Sequence, residues 1–180
     1  LEFRRVLFRS RQVIDSGASA SAAAPARPSE WVAPLRYRFA NLFDELGITL
    51  SWSVPETWRV PPTTLQCLLL ARLVEEALTN IVKHSRARHA RVTLEFADAR
   101  GLVLRVEDDG IGFDVQAVRS AGLGVGIDSM RARTERLRGT LTLHSRPGAT
   151  LLEACFPIPM HERQESLPAD NSDGQNPQPQ

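Results

Sequence analysis

The chain has 180 residues, of which 42% are hydrophobic, which suits one globular domain with a single core. Its formal net charge of +1 creates no strong field, so the composition argues against nucleic acid or anionic lipid as a partner. Cys67 and Cys155 form no metal-binding pattern, and we expect reduced thiols in the cytoplasm. No apolar run reaches the roughly 18 residues of a membrane helix, so we expect no membrane contact by this chain.

Both ends of the chain differ in composition from its middle. Glu2–Ser10 reads EFRRVLFRS and resembles the translation of a common short-read sequencing adaptor, so we interpret residues 1–10 as an artefact. The alternative is the basic, amphipathic start of a natural helix. Residues 11–34 include an Ala/Ser/Pro-rich stretch and are predicted to be a linker and the remnant of an upstream helical region. The polar residues 160–180 predict a disordered tail.

Residues 35–159 carry the periodic patterns of a folded domain. Apolar spacing predicts a helix from Leu35 to Leu46 that ends at Gly47, and the alternation of Ile48–Trp52 predicts a strand. Pro61 and Pro62 precede a long helix, predicted from Thr63 to His84. Its apolar stripe is predicted at positions four apart: Leu65, Leu69, Leu73, Ala77 and Ile81.

The second half of this region alternates strands with glycine-rich turns. The pattern predicts a hairpin of two strands, then a Gly- and Asp-rich stretch, a helix, and a last hairpin that turns at Arg146–Gly148. This order predicts a two-layer α/β sandwich, a mixed sheet with helices packed on one face. The predicted segments are Val92–Phe96, Leu102–Val106, a turn at Asp98–Gly101, a helix over Ile127–Leu137, and strands around Leu141–Leu143 and Leu152–Phe156.

Polar residues four apart form a ridge on the long predicted helix: Arg72, Glu76, Asn80 and His84, with Lys83 beside them. The amide oxygen of Asn80 is a hard ligand suited to Mg²⁺. Lys83 and His84 could contact phosphate oxygens, and Glu76 could position or deprotonate an attacking group. The alternative is an ordinary solvated helix face, and the ridge alone favours that alternative.

Acidic residues end the second predicted strand and two glycines follow, in the sequence Val106–Phe113. A carboxylate at this strand end, such as Asp108, can accept a hydrogen bond from the amino group of adenine, where guanine presents a carbonyl. Gly110 and Gly112 permit close backbone approach and unusual φ angles. A plain turn after a strand explains the same residues equally well.

Gly122, Gly124 and Gly126 form a second glycine cluster directly before a predicted helix. Backbone amides at a helix N-terminus bind phosphate. The spacing matches neither the dinucleotide-binding pattern nor the P-loop, and a flexible loop is the alternative. Between the two clusters, Asp114–Ala121 has no clear period and could be a mobile lid over a nucleotide.

Together, these motifs resemble the ATPase family shared by histidine kinases, Hsp90-type chaperones, type II topoisomerases and mismatch-repair ATPases. Glu76–His84 resembles its N box, Asp108–Phe113 and Gly124–Arg133 its two glycine boxes, and Gly148–Thr150 the motif that ends the site. The resemblance implies a Bergerat-type ATP-binding fold. The sequences of Glu76–His84 and of the second glycine box are similar to those of sensor histidine kinases paired with response regulators of the LuxR/NarL type.

The resemblance implies ATP and Mg²⁺ as cofactors, with Asn80 as the metal ligand and Asp108 as the adenine reader. It implies catalytic roles for Glu76, Asn80, Lys83 and His84. The residues it assigns to nucleotide binding are Asp108, Gly110, Gly112, Gly122, Gly124, Gly126 and Thr150. Two small departures are Arg138, where the family often has glycine, and Ala149, in place of the middle glycine of the last motif.

The larger departure is that no histidine has the family's phosphoacceptor context of an upstream helix. We therefore expect the acceptor to lie on a dimerisation domain missing from this chain, through which the full-length kinase forms a homodimer. We expect a response regulator as its partner, and a cytoplasmic location for this domain, although the parent protein could be anchored in the inner membrane. The alternatives are an anti-sigma-factor-type serine kinase and a non-catalytic nucleotide-binding module.

Overall fold

The structure is a computed structural model that describes residues 24–97, 101–122 and 124–157. The predicted artefact at residues 1–10, residues 11–23 of the predicted linker and the predicted tail lie outside the described residues. Residues 98–100 of the first predicted hairpin turn also lie outside them.

Helices and strands follow one another along the chain in nearly the predicted order. The helices are α1 (Pro28–Glu45), α2 (Thr64–Asn80), α3 (Val115–Ser120) and α4 (Val125–Arg136). A π-helical turn, Ile81–Ser85, continues α2. The strands are β1 (Thr49–Ser53), β2 (His89–Ala97), β3 (Gly101–Asp108), β4 (Thr140–Arg146) and β5 (Ala149–Phe156). In the described part of the chain, no helix is long and apolar enough to cross a membrane.

The strands form one five-stranded mixed sheet in the order β1-β2-β3-β5-β4. Only the β1–β2 pair is parallel among these neighbours, and the β2–β3, β3–β5 and β4–β5 pairs are antiparallel. Alternate strand residues join the helices in one hydrophobic core. The opposite face carries an ionic cluster: Arg105 donates hydrogen bonds to Glu95 and Glu153 at 2.5 and 2.7 Å. The predicted α/β fold with a mixed sheet is confirmed.

The first helix begins at Pro28, earlier than its apolar spacing indicates. Proline suits this first helical position because no intrahelical partner exists there for a backbone N–H. Trp31 and Val32 consequently belong to the core, and the Trp31 indole donates a buried hydrogen bond of 3.0 Å to the carbonyl of Cys67. The same packing raises the pKa of the Cys67 thiol to about 11. The helix ends as predicted, and Gly47 has a φ of +67°.

The start of α2 was predicted well, but part of its apolar stripe was wrong. Thr63 accepts a hydrogen bond from the Gln66 amide, and Gln66 accepts one from the Thr63 amide, which forms a capping box. Leu65 is 60% exposed, whereas Ile81 is buried. Positions four apart drift by roughly 40° per step around a helix of 3.6 residues per turn. A stripe drawn in fours therefore leaves the buried face, which comprises Cys67, Leu70, Leu73, Val74, Ala77 and Leu78.

Residues 114–121, predicted as a loop, contain the short helix α3. The Asp114 carboxylate caps it by accepting hydrogen bonds from the amides of Gln116 and Ala117, at 2.8 and 3.0 Å. A helix of six residues is too short to display an apolar period. The N-cap preference of aspartate was the available sequence signal.

Arg138 follows α4 in a left-handed backbone conformation, with a φ of +56°. A side chain at such an angle costs roughly 1–2 kcal/mol, a cost that glycine lacks. The resembled family often has glycine at this position, and arginine in its place therefore affects the backbone conformation. Arg138 is exposed, and it does not line the cavity described below.

We predict that Arg138→Gly raises the free energy of unfolding by about 0.5–1 kcal/mol. The relief of backbone strain at residue 138 should exceed the free-energy cost of the conformational entropy that glycine loses on folding. Chemical denaturation of the two proteins measures this difference. Arg136→Gly is the matched control: Arg136 lies within α4, so glycine there should lower stability by up to about 1 kcal/mol. Equal losses in both variants would contradict the strain argument.

Candidate functional site

A cavity of about 400 Å³ opens where the end of α2, the end of β3, the start of α4 and the β4–β5 hairpin meet. Its walls combine residues from the two glycine clusters with residues from the helix ridge. The lining residues are Ala77, Asn80, Ile81, His84, Ser85, Val106, Asp108, Ile111, Gly112, Phe113, Val118, Gly124, Gly126, Ile127, Met130, Leu143, Thr150 and Leu152.

Most of the residues predicted for the site lie at this cavity. Those that line it are Asn80, His84, Asp108, Gly112, Gly124, Gly126 and Thr150. Gly110 packs directly behind Asp108, and Glu76 contacts the start of α4. Lys83 and Gly122 do not line the cavity: Lys83 is exposed beside His84, and Gly122 stands in open space with a φ of +67°.

Arg72, the first residue of the predicted ridge, also lies away from the cavity. Its guanidinium donates a hydrogen bond of 3.2 Å to Glu75, and Arg38 of α1 pairs with the same carboxylate. Arg72 therefore belongs to the contact between α1 and α2. The drift of four-residue spacing around α2 explains why only the C-terminal part of the ridge reaches the cavity.

The Asp108 carboxylate is held in place by two donors to one oxygen. The Ser85 hydroxyl donates to Oδ1 at 2.7 Å, and the Gly110 amide donates to the same atom at 2.9 Å. The Ser85 carbonyl accepts a further hydrogen bond from the Ile111 amide at 2.8 Å. These contacts fasten the π-helical turn after α2 to the loop after β3.

Asp109, the neighbouring acid, faces a different partner. Its carboxylate accepts hydrogen bonds from the amides of Arg88 and His89 and contacts the His89 ring, each at 2.7–2.8 Å. The His89 amide, followed by the His89 ring and the Arg88 amide, lowers the pKa of Asp109 from 3.8 to about 2. Asp109 thus anchors the start of β2, and Asp108 alone of the two lines the cavity.

Glu76 and Asn80 converge on the first turn of α4. A Cβ atom on Gly126 would lie 2.6 Å from Glu76 Oε1 and 3.7 Å from Asn80 Nδ2. No side chain caps this end of α4, so its first amides are available to a ligand. A helix N-terminus attracts anions such as phosphate. The ridge and the second glycine cluster therefore meet at a place suited to phosphate.

The β4–β5 hairpin supports the first glycine cluster from the other side. Ser145 Oγ accepts a hydrogen bond from the Phe113 amide at 3.0 Å and shares one of 2.9 Å with the Thr150 hydroxyl. The Gly148 amide donates to the carbonyl of Gly110 at 2.8 Å. Gly112 has a φ of +63°, and a Cβ atom there would overlap the backbone of Arg146. The loop after β3 therefore has one well-defined path.

Sequence reasoning missed two groups of residues at the site, and one of these residues, Ser145, supports the cavity without lining it. Ser85 and Ser145 follow no motif by themselves, and their hydrogen bonds appear only once distant segments are brought together. The apolar wall was missed because its side chains look like ordinary core residues in the sequence. That wall consists of Ala77, Ile81, Val106, Ile111, Phe113, Val118, Ile127, Met130, Leu143 and Leu152. An apolar wall with a few polar groups suits a heterocyclic base.

Mg²⁺ prefers oxygen ligands such as carboxylates and carboxamides. Among the described residues, no three His, Cys, Asp or Glu side chains cluster as a metal site. Mg²⁺ bound with a nucleotide takes one or two protein ligands, and phosphates and water supply the rest. A single carboxamide on the cavity wall, that of Asn80, fits this kind of coordination.

Comparison with known families identifies the class of this fold and site. The family model described as "Histidine kinase-, DNA gyrase B-, and HSP90-like ATPase" matches residues 67–160, just over half of the chain. The match spans most of α2, both glycine clusters and the last hairpin. The match identifies this fold as an ATP-binding domain of the ATPase class. The chain belongs to the histidine kinase-, DNA gyrase B- and HSP90-like ATPase family.

Curated relatives are similar over the same part of the chain. The signal transduction histidine-protein kinase/phosphatase UhpB of Salmonella typhimurium is 39% identical over 90 residues, which are 48% of this chain and 17% of UhpB. The sensor histidine kinase YxjM of Bacillus subtilis is 32% identical over 104 residues, 57% of this chain and 23% of YxjM. This chain therefore spans a quarter or less of the length of these relatives.

Solved structures show the same fold at low sequence identity. The histidine kinase AdeS of Acinetobacter baumannii has a TM-score of 0.62 at 14% identity, covering 76% of this chain and 66% of that chain. The histidine kinase domain of a blue-light activated kinase from Erythrobacter litoralis has a TM-score of 0.61 at 20% identity, covering 77% and 71%. The likeness extends to the mixed sheet and its helices.

We predict that Asp109→Asn lowers the free energy of unfolding at neutral pH, and that this loss shrinks as the pH falls. A folded pKa below 3.8 means that the ionised carboxylate stabilises the fold above that pH, and the contribution is lost as the pH falls towards about 2. Urea unfolding of both proteins between pH 7 and about pH 2 measures the difference. A difference that stays constant over this range would contradict the assignment.

We predict that Gly110→Ala lowers the free energy of unfolding by about 1–3 kcal/mol without any ligand, because the new methyl group would overlap the Ser85 carbonyl and hydroxyl. Gly124→Ala is the matched control, since its nearest non-neighbouring atoms lie 3.9 Å away. Denaturant unfolding should place Gly124→Ala within about 1 kcal/mol of the parent chain. Equal stability of both variants would contradict the close packing at Gly110.

Proposed function

We propose that this chain is the ATP-binding catalytic domain of a two-component sensor histidine kinase, and that it transfers the γ-phosphoryl group of ATP to a histidine on a dimerisation domain outside this chain. One observation carries the proposal: Asn80 and Asp108, from distant parts of the sequence, line a single cavity. A carboxamide suited to Mg²⁺ and a carboxylate suited to adenine stand within reach of one nucleotide.

The base end of the nucleotide is assigned to Asp108 and the apolar wall. The Asp108 carboxylate can accept a hydrogen bond from the exocyclic amine of adenine, and guanine would present a carbonyl oxygen to it instead. Met130, Ile127 and Leu152 line the cavity and offer apolar surface to the faces of the ring. Thr150 lines the same region, and its hydroxyl is already oriented by Ser145.

The phosphate end is assigned to Asn80, His84 and the uncapped start of α4. Asn80 would hold Mg²⁺, which supplies neutralisation of the phosphate charge when it is bound. His84 lines the cavity and can donate to a phosphate oxygen. The backbone amides after Gly124 give further donors at the positive end of a helix. Glu76 lies beside Asn80 and can orient the attacking group.

Phosphoryl transfer then depends mainly on position and charge. The bond between the γ-phosphorus and the bridging oxygen breaks to release ADP, and a bond forms to an imidazole nitrogen of the acceptor histidine. Little covalent chemistry is left for side chains, so a site that aligns the phosphates and stabilises their charge suffices. Asn80 and His84 line the cavity and His84 is exposed, so an acceptor from another domain could approach at His84.

The names of similar proteins support this reaction class. UhpB and YxjM are histidine kinases, and so are ComP of Bacillus subtilis and NarS of Mycobacterium tuberculosis, at 33% and 37% identity. We propose that the parent kinase forms a homodimer through its dimerisation domain and passes the phosphoryl group to a response regulator of the LuxR/NarL type. We place this domain in the cytoplasm, where ATP is available.

We predict that Asn80→Ala reduces the affinity for ATP at least tenfold in the presence of Mg²⁺, because it removes the proposed metal ligand. Titration of a fluorescent ATP analogue with Mg²⁺ and with a chelator measures the effect. Mg²⁺ should strengthen binding to the parent chain and should no longer do so in the variant. Asn41→Ala, on the exposed face of α1, is the matched control and should keep the Mg²⁺ dependence. Retained Mg²⁺ dependence in Asn80→Ala would contradict the proposal.

A further inference from the structure

We propose that Ser85 is a positioning residue that sets the preference of the site for adenine over a 6-oxo purine by fixing the Asp108 carboxylate. This inference rests on the proposed function, since it assumes that the cavity binds a purine nucleoside triphosphate. Ser85 is the last residue of the π-helical turn that follows α2. It lies outside the residues that motif comparison assigns to the site.

The hydrogen bonds around Asp108 separate the roles of its two oxygens. Oδ1 accepts from the Ser85 hydroxyl at 2.7 Å and from the Gly110 amide at 2.9 Å. Both hydrogen bonds that the described residues make to the Asp108 carboxylate are to Oδ1, none is to Oδ2, and Asp108 lines the cavity. Oδ2 is therefore the oxygen left to accept a hydrogen bond from a ligand.

Ser85 is itself held by the loop that carries its partner. Its carbonyl accepts from the Ile111 amide at 2.8 Å, so the backbone of the turn cannot move away from the loop after β3 without breaking this bond. A Cβ atom on Gly110 would overlap both the hydroxyl and the carbonyl of Ser85. The contact is a close fit between a serine and a glycine, and it fixes the direction from which the hydroxyl approaches Asp108.

A fixed carboxylate discriminates between bases better than a rotating one. With Oδ1 occupied, Oδ2 presents only acceptor lone pairs, which match the amine of adenine and oppose the carbonyl of a 6-oxo purine. Loss of the Ser85 hydroxyl removes one of the two donors that set this orientation, so ordering the carboxylate then costs part of the binding free energy. Ligands that make no hydrogen bond to Asp108 should be affected much less.

The test measures the affinities of the full chain for ATP and for inosine triphosphate (ITP), both with Mg²⁺. ITP carries a carbonyl in place of the adenine amine and a proton on N1, where adenine has an acceptor, and its ribose and triphosphate are the same. We expect Ser85→Ala to lower the affinity for ATP about tenfold, the effect of losing one hydrogen bond to a charged group. The affinity for ITP should change less than about twofold, so the ATP/ITP preference falls.

Companion variants separate this role from simple support of the loop. Ser85→Thr keeps the hydroxyl and should keep the preference, and Ser85→Cys, a weaker donor of similar size, should give an intermediate value and serves if Ser85→Ala does not fold. Ser51→Ala, on the exposed side of β1, should match the parent chain. Equal losses of ATP and ITP affinity in Ser85→Ala and Ser85→Cys would overturn the inference, because a structural role alone predicts that result.

Asp108→Asn distinguishes failure of this inference from failure of the proposed function. If Asp108→Asn removes the ATP/ITP preference and Ser85→Ala leaves it unchanged, Asp108 reads the base without help from Ser85, and only the inference is overturned. If Asp108→Asn also leaves the preference unchanged, the base-reading role of Asp108 is wrong, and the inference falls with it.

Discussion

The hydrogen bond between the Ser85 hydroxyl and Asp108 Oδ1, 2.7 Å long, joins two parts of the chain on which the whole site depends. One part is the end of α2, with Asn80 and His84, and the other is the end of β3, with Asp108. The Ser85 carbonyl and the Ile111 amide form a second link between the same segments. These two hydrogen bonds join the segment of Asn80, the proposed metal ligand, to the segment of Asp108, the proposed base reader. The fold therefore sets the distance between the two residues.

Asp108 and Asp109, the adjacent acids at the end of β3, have different roles. Strand geometry points consecutive side chains in opposite directions, so Asp108 and Asp109 meet different surroundings. Asp109 accepts amides at the start of β2, which lowers its pKa, whereas Asp108 lines the cavity. Asp108 is thus available for recognition, and Asp109 secures the start of β2.

The sequence predicted the order of elements, the mixed sheet and the convergence of the motifs, because these follow from periodicity and from a family resemblance. It could not predict α3, which is shorter than two helical turns, or the true buried face of α2, since a stripe drawn in fours drifts away from it. Arg72, the first residue of the ridge, lies away from the cavity for the same reason. Ser85 and Ser145 were missed because only tertiary structure brings them to their partners.

The most direct measurement is a crystal structure of the chain with Mg²⁺ and a non-hydrolysable ATP analogue. We expect the adenine amine within about 3 Å of Asp108 Oδ2, and Mg²⁺ at about 2.1 Å from the carboxamide oxygen of Asn80. A nucleotide bound elsewhere, or bound in this cavity with its base away from Asp108 and its metal away from Asn80, would contradict the roles proposed for these two residues.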